Sequence, residues 1–389
     1  MELLKKISVF TGTRAEYGLL YLILKGLKAS PQVDLQLLVG GTHLKKEFGH
    51  TVEQIVNDGF SVTHTLDYLV DSDSPLGISQ SLAKATVMAA EIFEQAKPDL
   101  LVLLGDRFEA LALAQAAMIA GIPIAHIHGG ELTEGAMDDA IRHAITKMSH
   151  LHFTSTENYK QRLIQLGEQP ERVFNFGAPG IDNIVKLPLL SKAQLAKKLN
   201  IDLAQPYFLV TYHPETLSEQ KPTVSLTQLL LAFKSFPNYQ IIITYPNADT
   251  YGRALMMLLE EFALANKERV HLYESIGQIN FLSAMKFTSA VIGNSSSGII
   301  EAPSFKVPTV NIGDRQKGRL ASNSVIHCSD NRESIERAIT CALSNDFTQK
   351  VSQSSNPYGE GTACPNIINT LINYDINSLS KPFYDIDFK

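Results

Sequence analysis

Short runs of β-branched and aliphatic residues alternate along the chain with longer stretches whose apolar positions recur at helical spacing. The first run, residues 7–11, reads as a strand. Residues 15–29 follow as an amphipathic helix with Leu19, Leu20, Ile23 and Leu27 on one stripe. Strands are expected at 33–39, 99–104, 124–127 and 151–154, and helices at 108–120, 139–149 and 158–166. Residues 99–104 are apolar at nearly every position, as a central parallel strand buried on both faces would be. Such alternation is the βαβ pattern of an open, mostly parallel α/β sheet.

Gly177, Pro179, Gly180 and Pro188 interrupt the pattern. A second α/β series then begins, with strands expected at 207–211, 240–244, 270–273, 290–292 and 309–311 and helices at 227–233, 253–263, 278–285 and 298–303. The boundary is set near residue 180. This predicts Rossmann-like domains at 1–180 and 181–365, with a C-terminal helix near 366–373 and tail in 366–389. Two doubly wound domains in series are expected to leave a cleft. Ligands in such sheets sit beyond the carboxyl ends of the strands.

A chain of 389 residues suits two domains of about 150–200 residues each. With 44% hydrophobic residues it can bury a sizeable core. Lys and Arg total 34 against 40 Asp and Glu, a net charge of 34 − 40 = −6, and no strongly basic stretch appears. That argues against nucleic acid or an anionic membrane as the main partner. Cys328, Cys341 and Cys364 form neither a disulfide framework nor a zinc-finger pattern. No apolar run reaches the ~18 residues of a membrane span, and the N-terminus lacks a signal peptide's apolar region. A soluble protein of a reducing cytoplasm is expected.

The polar clusters fall just after strands. Thr11 to Gly18 (TGTRAEYG) opens the first helix, where free N–H groups and Arg14 suit an anion, although a capping Thr in an ordinary turn would look the same. Gly105 to Glu109 (GDRFE) places Asp106 and Arg107 after a buried strand, either as chemistry or as a helix-capping ion pair. In His126 to Glu131 (HIHGGE), period-two spacing puts His126 and His128 on one side of a strand end. Asp138, Asp139, Arg142 and His143 follow, a density of ionisable groups that suits acid/base work, with a zinc site as the rival. His213 follows the first strand of the second series, and Asn247 ends a neighbouring one. Gly293 to Gly298 (GNSSSG) brings Ser295 and Ser296 to a helix start, as a diphosphate site or a plain Ser cap, and Glu301 is placed to accept ribose hydroxyls. Arg315, Lys317 and Arg319 follow the last strand.

These stretches, with the segments 138–147 (DDAIRHAITK), 313–319 (GDRQKGR) and 356–361 (NPYGEG), resemble the hydrolysing UDP-N-acetylglucosamine 2-epimerases, close to the bacterial sialic-acid-pathway enzymes. The matches keep their order over almost the whole chain. The resemblance implies a GT-B fold, no cofactor, no metal and a homodimer. It implies conversion of UDP-GlcNAc and water to UDP and N-acetylmannosamine through a 2-acetamidoglucal intermediate. Carried over by motif, Asp106, Glu131 and Asp138 are acid/base candidates, and His213 neutralises departing UDP or passes a proton. Arg14, Ser295, Ser296 and Arg315 match diphosphate positions, Glu301 the ribose position, and Asn247 lines the cleft. Arg107 pairs with a carboxylate or reaches the phosphates.

Several family members carry a catalytic Glu where this chain has His128. Glu131 is therefore the expected second acid/base group, with His128 as its rival and otherwise substrate-binding. A sister group acts on UDP-N,N′-diacetylbacillosamine, and no residue read here separates the two substrates. A GT-B glycosyltransferase and a non-catalytic UDP-sugar sensor are the readings from other classes.

Overall fold

Along strand β1 (Lys5–Thr11), Ile7 and Val9 enter one buried cluster while Phe10 enters another. Period-two side-chain alternation makes a strand with both neighbours apolar bury both faces, which is the environment of a parallel sheet covered by helices on each side. The computed structural model describes residues 4–134, 136–215, 220–246, 251–376 and 378–386. They divide into two units. The first draws on residues 1–131, 138–185 and 358–389, and the second on 132–137 and 186–357.

The first unit contains β1, β2 (Val33–Gly40), β3 (His64–Leu66), β4 (Leu100–Leu104), β5 (Ile124–Ile127), β6 (Leu151–Thr154) and β7 (Val173–Asn175). They form a seven-stranded sheet in the order β3-β2-β1-β4-β5-β6-β7, with every pair parallel. The strand order reverses at β1 and β4, so the loops after those two strands diverge and leave a crevice at their carboxyl ends.

The second unit contains β8 (Tyr207–Thr211), β9 (Gln240–Thr244), β10 (Val270–Tyr273), β11 (Ala290–Gly293), β12 (Thr309–Ile312) and β13 (Val325–Cys328). Their order, β10-β9-β8-β11-β12-β13, repeats the same plan, again all parallel, with the reversal at β8 and β11. Phe208 and Val210 face one core, Tyr207 and Leu209 the other.

The expected strands are present within a residue or two. The largest omission is the helix Pro75–Ala96 in the first unit. Its fully buried face is Gly77, Ser81, Ala85, Ala89 and Phe93, mostly small residues, and Ile78, Leu82, Met88 and Ile92 pack beside them at helical spacing. Ser74 caps it by accepting from the Gly77 N–H at 3.1 Å, and Pro75 supplies its first turn. The small stripe packs on the Ala-rich helix Phe108–Ile119, where backbones can approach closely. Also unforeseen are β3, β7, β13 and the helices Arg332–Ala342 and Asn345–Ser352. The helix expected at 298–303 is instead Ser296–Ile300 followed by a tighter turn, Ala302–Phe305, that contains Pro303. Among the described residues no helix is long and apolar enough to cross a membrane.

The chain leaves the second unit at 357/358, eight residues before the expected 365, and the first break falls at 185/186 where 180 was expected. The last helix, Ala363–Asn373, belongs to the first unit and does not stand apart. Buried Asp182 explains why: its carboxylate accepts from the Ala363 N–H at 2.9 Å and the Cys364 N–H at 3.2 Å. Gly26 gives the Ile368 side chain its seat on the helix Arg14–Ala29.

The tail beyond that helix is held by charge. Lys381 donates to the carbonyls of Lys147 and Ser149 at 2.7 Å each and pairs with Glu168 at 2.7 Å. Glu168 also meets Lys147 at 2.7 Å and His152 at 2.9 Å. Burial pushes the Glu168 carboxyl up, but bonds from His152, Lys147 and Lys381 overcome it and hold it down at about 2. Its folded value thus lies below the unfolded one, so its contribution is present above the unfolded value and disappears as pH falls through the folded value. Glu168→Gln is expected to lower stability by about 3 kcal/mol at pH 7. In urea titrations that difference should shrink between about pH 5 and pH 2.

Candidate active site

The first unit gathers its candidate side chains at the β1/β4 reversal. Thr13 caps the first helix, and Thr13 and Glu16 form a reciprocal capping box. Glu16 Oε2 accepts from the N–H groups of Gly12 at 2.8 Å and Thr13 at 3.0 Å. Backbone donors that could have cradled an anion are therefore taken by a carboxylate, and Arg14 at the first helical position is the cation of this turn. Burial brings the Arg14 guanidinium down to about 10, still charged at neutral pH. Glu16 rises to about 7 through burial and the nearby Glu109, against the opposing pull of Arg107 and the two N–H groups. Arg107 Nε donates to Glu109 Oε1 at 2.6 Å with both side chains buried, so Arg107 meets a carboxylate. Gly12 allows that packing, since a Cβ there would stand 2.9 Å from Glu109 Oε1.

Beyond β5 the two histidines part company. His126 is fully buried, with Nε2 2.7 Å from the Gly105 carbonyl and Nδ1 3.1 Å from the Thr146 hydroxyl. Burial pushes it to about 3, so it is neutral and occupied at both nitrogens. The zinc reading loses its first ligand there. Among the described residues no group of three or more His, Cys, Asp or Glu side chains is placed to hold a metal. His128 lies past the strand end at φ +67°, and this left-handed turn breaks the period-two relation between the histidines. Its Nδ1 is 2.5 Å from Glu131 Oε1, and the Ser155 hydroxyl donates to the same oxygen at 2.6 Å.

Arg142 joins this pair to Asp106. It projects from the helix Asp138–Met148 and is 2% exposed. Nη1 donates to the Glu131 carbonyl at 2.7 Å, and Nη2 is in direct contact with Asp106 Oδ2. Asp106 therefore pairs with Arg142 and not with the adjacent Arg107. Asp138 is half-buried at the first position of that helix. Asp139 reaches His143 at 3.5 Å.

The second unit uses the β8/β11 reversal. Asn294, fully buried, clamps the backbone of His213: its Oδ1 accepts from the His213 N–H at 2.7 Å and its Nδ2 donates to the His213 carbonyl at 2.9 Å. Gly293 is obligatory beside it. At φ +137°, a Cβ would fall 2.0 Å from the Thr211 carbonyl oxygen. Ser295 caps the Ser296–Ile300 turn by accepting from the Ser297 N–H at 3.4 Å, which is the plain capping role. Ser296 and Arg315 are half-buried beside it. Arg315 Nη1 and Gln316 Nε2 both donate to the Asn294 carbonyl, at 3.1 and 2.9 Å. Arg319 turns to the Leu132 carbonyl at 3.2 Å and the Thr133 hydroxyl at 3.3 Å. The loop 313–319 is thus more structural than its charge suggests. Glu301 is buried at the end of the Ser296–Ile300 turn. Asn247 lies outside the described residues.

Sequence reading gave no individual role to Glu16, Glu109, His43, Ser155, Asn294 or Glu215, and it named Arg142 only as one of an ionisable cluster, without its bridging contact. His43 is buried between the hydroxyls of Thr11 at 3.0 Å and Thr51 at 2.7 Å. Burial, with Arg14 nearby, lowers it to about 4. Glu215 is pushed up by burial, against N–H groups of Arg315 and Asp314 that favour its charge. Only their positions directly after strands could have signalled Ser155, Asn294 and Glu215.

A sequence model described as UDP-N-acetylglucosamine 2-epimerase matches residues 25–372. The chain is 40% identical over 386 residues to an Escherichia coli protein named polysialic acid biosynthesis protein P7, covering 98% of both. It is 39% identical over 345 residues to a Campylobacter jejuni protein named GDP/UDP-N,N′-diacetylbacillosamine 2-epimerase (hydrolyzing), covering 89% of both. The crystal structure of a UDP-GlcNAc 2-epimerase from Neisseria meningitidis bound to UDP-GlcNAc superposes with a TM-score of 0.80 at 20% identity, covering 95% of this chain and 100% of that one. Two Rossmann-like units in the GT-B manner are common to both. With its length matched from end to end by such relatives, the chain belongs to the UDP-N-acetylglucosamine 2-epimerase family.

Proposed function

We propose that the protein is a hydrolysing 2-epimerase that converts UDP-GlcNAc and water to UDP and N-acetylmannosamine for sialic-acid-type sugars. The observation that carries this reading is Arg142, which holds Asp106 and the His128–Glu131 pair around one buried guanidinium. Inversion at a carbon that bears hydrogen needs one group to take a proton and another to return it on the opposite face. The C-2 hydrogen is not activated by an adjacent carbonyl, so its removal is coupled to departure of UDP from C-1. The C–H electron pair becomes the C-1=C-2 π bond while the C-1–O pair leaves on the diphosphate. Water then supplies hydroxyl to C-1 and a proton to C-2. Asp106 and the His128–Glu131 pair serve the proton transfers, and Asp138 stands beside them as an acid/base candidate. Arg14, Ser295, Ser296 and Arg315 take the diphosphate, His213 offsets its charge, and Glu301 takes the ribose.

Relatives at 39% and 35% identity, from Campylobacter jejuni and Legionella pneumophila, are named hydrolyzing 2-epimerases of N,N′-diacetylbacillosamine nucleotides, which favours the hydrolytic outcome. The same names support UDP-N,N′-diacetylbacillosamine as the second substrate reading. A proton NMR time course in D₂O with EDTA tests both sugars side by side. Free UDP and N-acetylmannosamine deuterated at C-2 are expected from UDP-GlcNAc. UDP-N-acetylmannosamine as the product would overturn hydrolysis, and turnover of the diacetylated sugar alone would overturn the substrate.

Arg142→Lys keeps a charge but not the fork that reaches two acceptors. It is expected to lower kcat by about 10²-fold while KM changes less than about 3-fold, in steady-state assays of UDP release.

A further inference from the structure

We propose that Ser155, Glu131 and His128 form a hydrogen-bonded relay in which Nε2 of His128 takes the C-2 proton and Glu131 is a positioning residue, not an acid/base group. The inference rests on the epimerase reading above and assigns its proton-accepting atom.

Three contacts fix the imidazole. The His128 N–H donates to the Phe153 carbonyl at 2.9 Å, which anchors the left-handed turn to β6. Nδ1 stands 2.5 Å from Glu131 Oε1. That oxygen also accepts from Ser155 at 2.6 Å, so the carboxylate cannot swing toward a ligand without breaking two short bonds. The Glu131 main chain is held in turn by Arg142, and Arg162 donates to the neighbouring Gly130 carbonyl. Glu131 is 2% exposed and His128 6%.

A carboxylate accepting from Nδ1–H places the ring's one proton on Nδ1 and the lone pair on Nε2. That Nε2 is buried and has no hydrogen-bond partner among the described residues. Leaving a buried polar atom unpaired costs about 1–3 kcal/mol. His128 Nδ1 and Glu131 Oε1 are both built into the network, so the unpaired nitrogen marks where a ligand atom is met. His126, one residue before the end of β5, has both nitrogens occupied. His152 also has an unpaired nitrogen, but it lies inside β6 at 0% exposure with Glu168 on its other side, away from the carboxyl end where ligands enter.

In the step, the Nε2 lone pair accepts the C-2 hydrogen. The C–H pair becomes the C-1=C-2 bond, and the C-1–O pair departs with UDP. The resulting imidazolium is balanced by the Glu131 carboxylate on Nδ1. The titratable groups nearest the ring are Glu131 on its own loop and His126 from β5; His152 from β6 lies beside His126, and Arg142 and Arg162 hold the carbonyls of residues 131 and 130.

The test compares His128→Asn, Glu131→Gln and wild type by the pH profile of kcat for UDP release, with UDP affinity measured calorimetrically as the check on folding. Asn tolerates the left-handed backbone, so the turn survives. His128→Asn should lose about 10³-fold in kcat with UDP affinity unchanged. Glu131→Gln still accepts from Nδ1–H but cannot balance an imidazolium. It should lose about 10–10²-fold, with the ascending limb of its profile moved to lower pH by roughly one unit. The proposal is overturned if Glu131→Gln is as inactive as His128→Asn, if its limb does not move, or if His128→Asn keeps more than about a tenth of wild-type turnover. Failure of wild type itself to release UDP from either UDP-sugar would overturn the epimerase reading and the relay together.

Discussion

Arg142 is 2% exposed, and a guanidinium cannot be neutralised by losing its proton. It must be met by acceptors in fixed directions, and much of the first unit's site follows from that requirement. One arm meets Asp106 at the end of β4 and the other the Glu131 carbonyl beyond β5. Two neighbouring strands and the helix Asp138–Met148 are thereby brought into one register. The carboxylate and the imidazole pair are set around a cation whose position cannot drift without leaving a buried charge unpaired.

The second unit achieves comparable rigidity with neutral groups. Asn294 exchanges two hydrogen bonds with the His213 backbone, and Gly293 lets β11 come against the Thr211 carbonyl. The clamp between the two loops at the β8/β11 reversal is made by neutral groups. In the first unit the equivalent turn is closed by Glu16, which occupies the backbone donors and leaves Arg14 as its cation.

The buried histidines show how partners decide role. His126 has two protein partners and is pushed to about 3 by burial. His43 sits between two threonine hydroxyls and is lowered to about 4. His128 keeps one nitrogen without a partner among the described residues, beside a carboxylate that is itself held by a serine. Sequence spacing treats His126 and His128 as equivalent, and only the backbone turn at φ +67° separates them.

From the chain alone, the alternation of apolar runs and helical stripes was enough for two parallel α/β units, because burial of both strand faces leaves a direct trace in composition. The clusters after β1, β4, β5, β8 and β11 were also legible, since the carboxyl ends of parallel strands are where such folds place ligands. The helix Pro75–Ala96 was passed over, because its most buried positions are small residues and its larger apolar ones are only partly covered. The return of the last helix to the first unit was not legible, because it depends on Asp182 meeting N–H groups far along the chain. Pairing was likewise decided only in three dimensions. Asp106 chose Arg142 over adjacent Arg107, and Glu131 chose His128 and Ser155. Hydrogen-bond partners depend on direction and distance between strands that sequence separates, whereas residue type and position after a strand are properties of the chain itself.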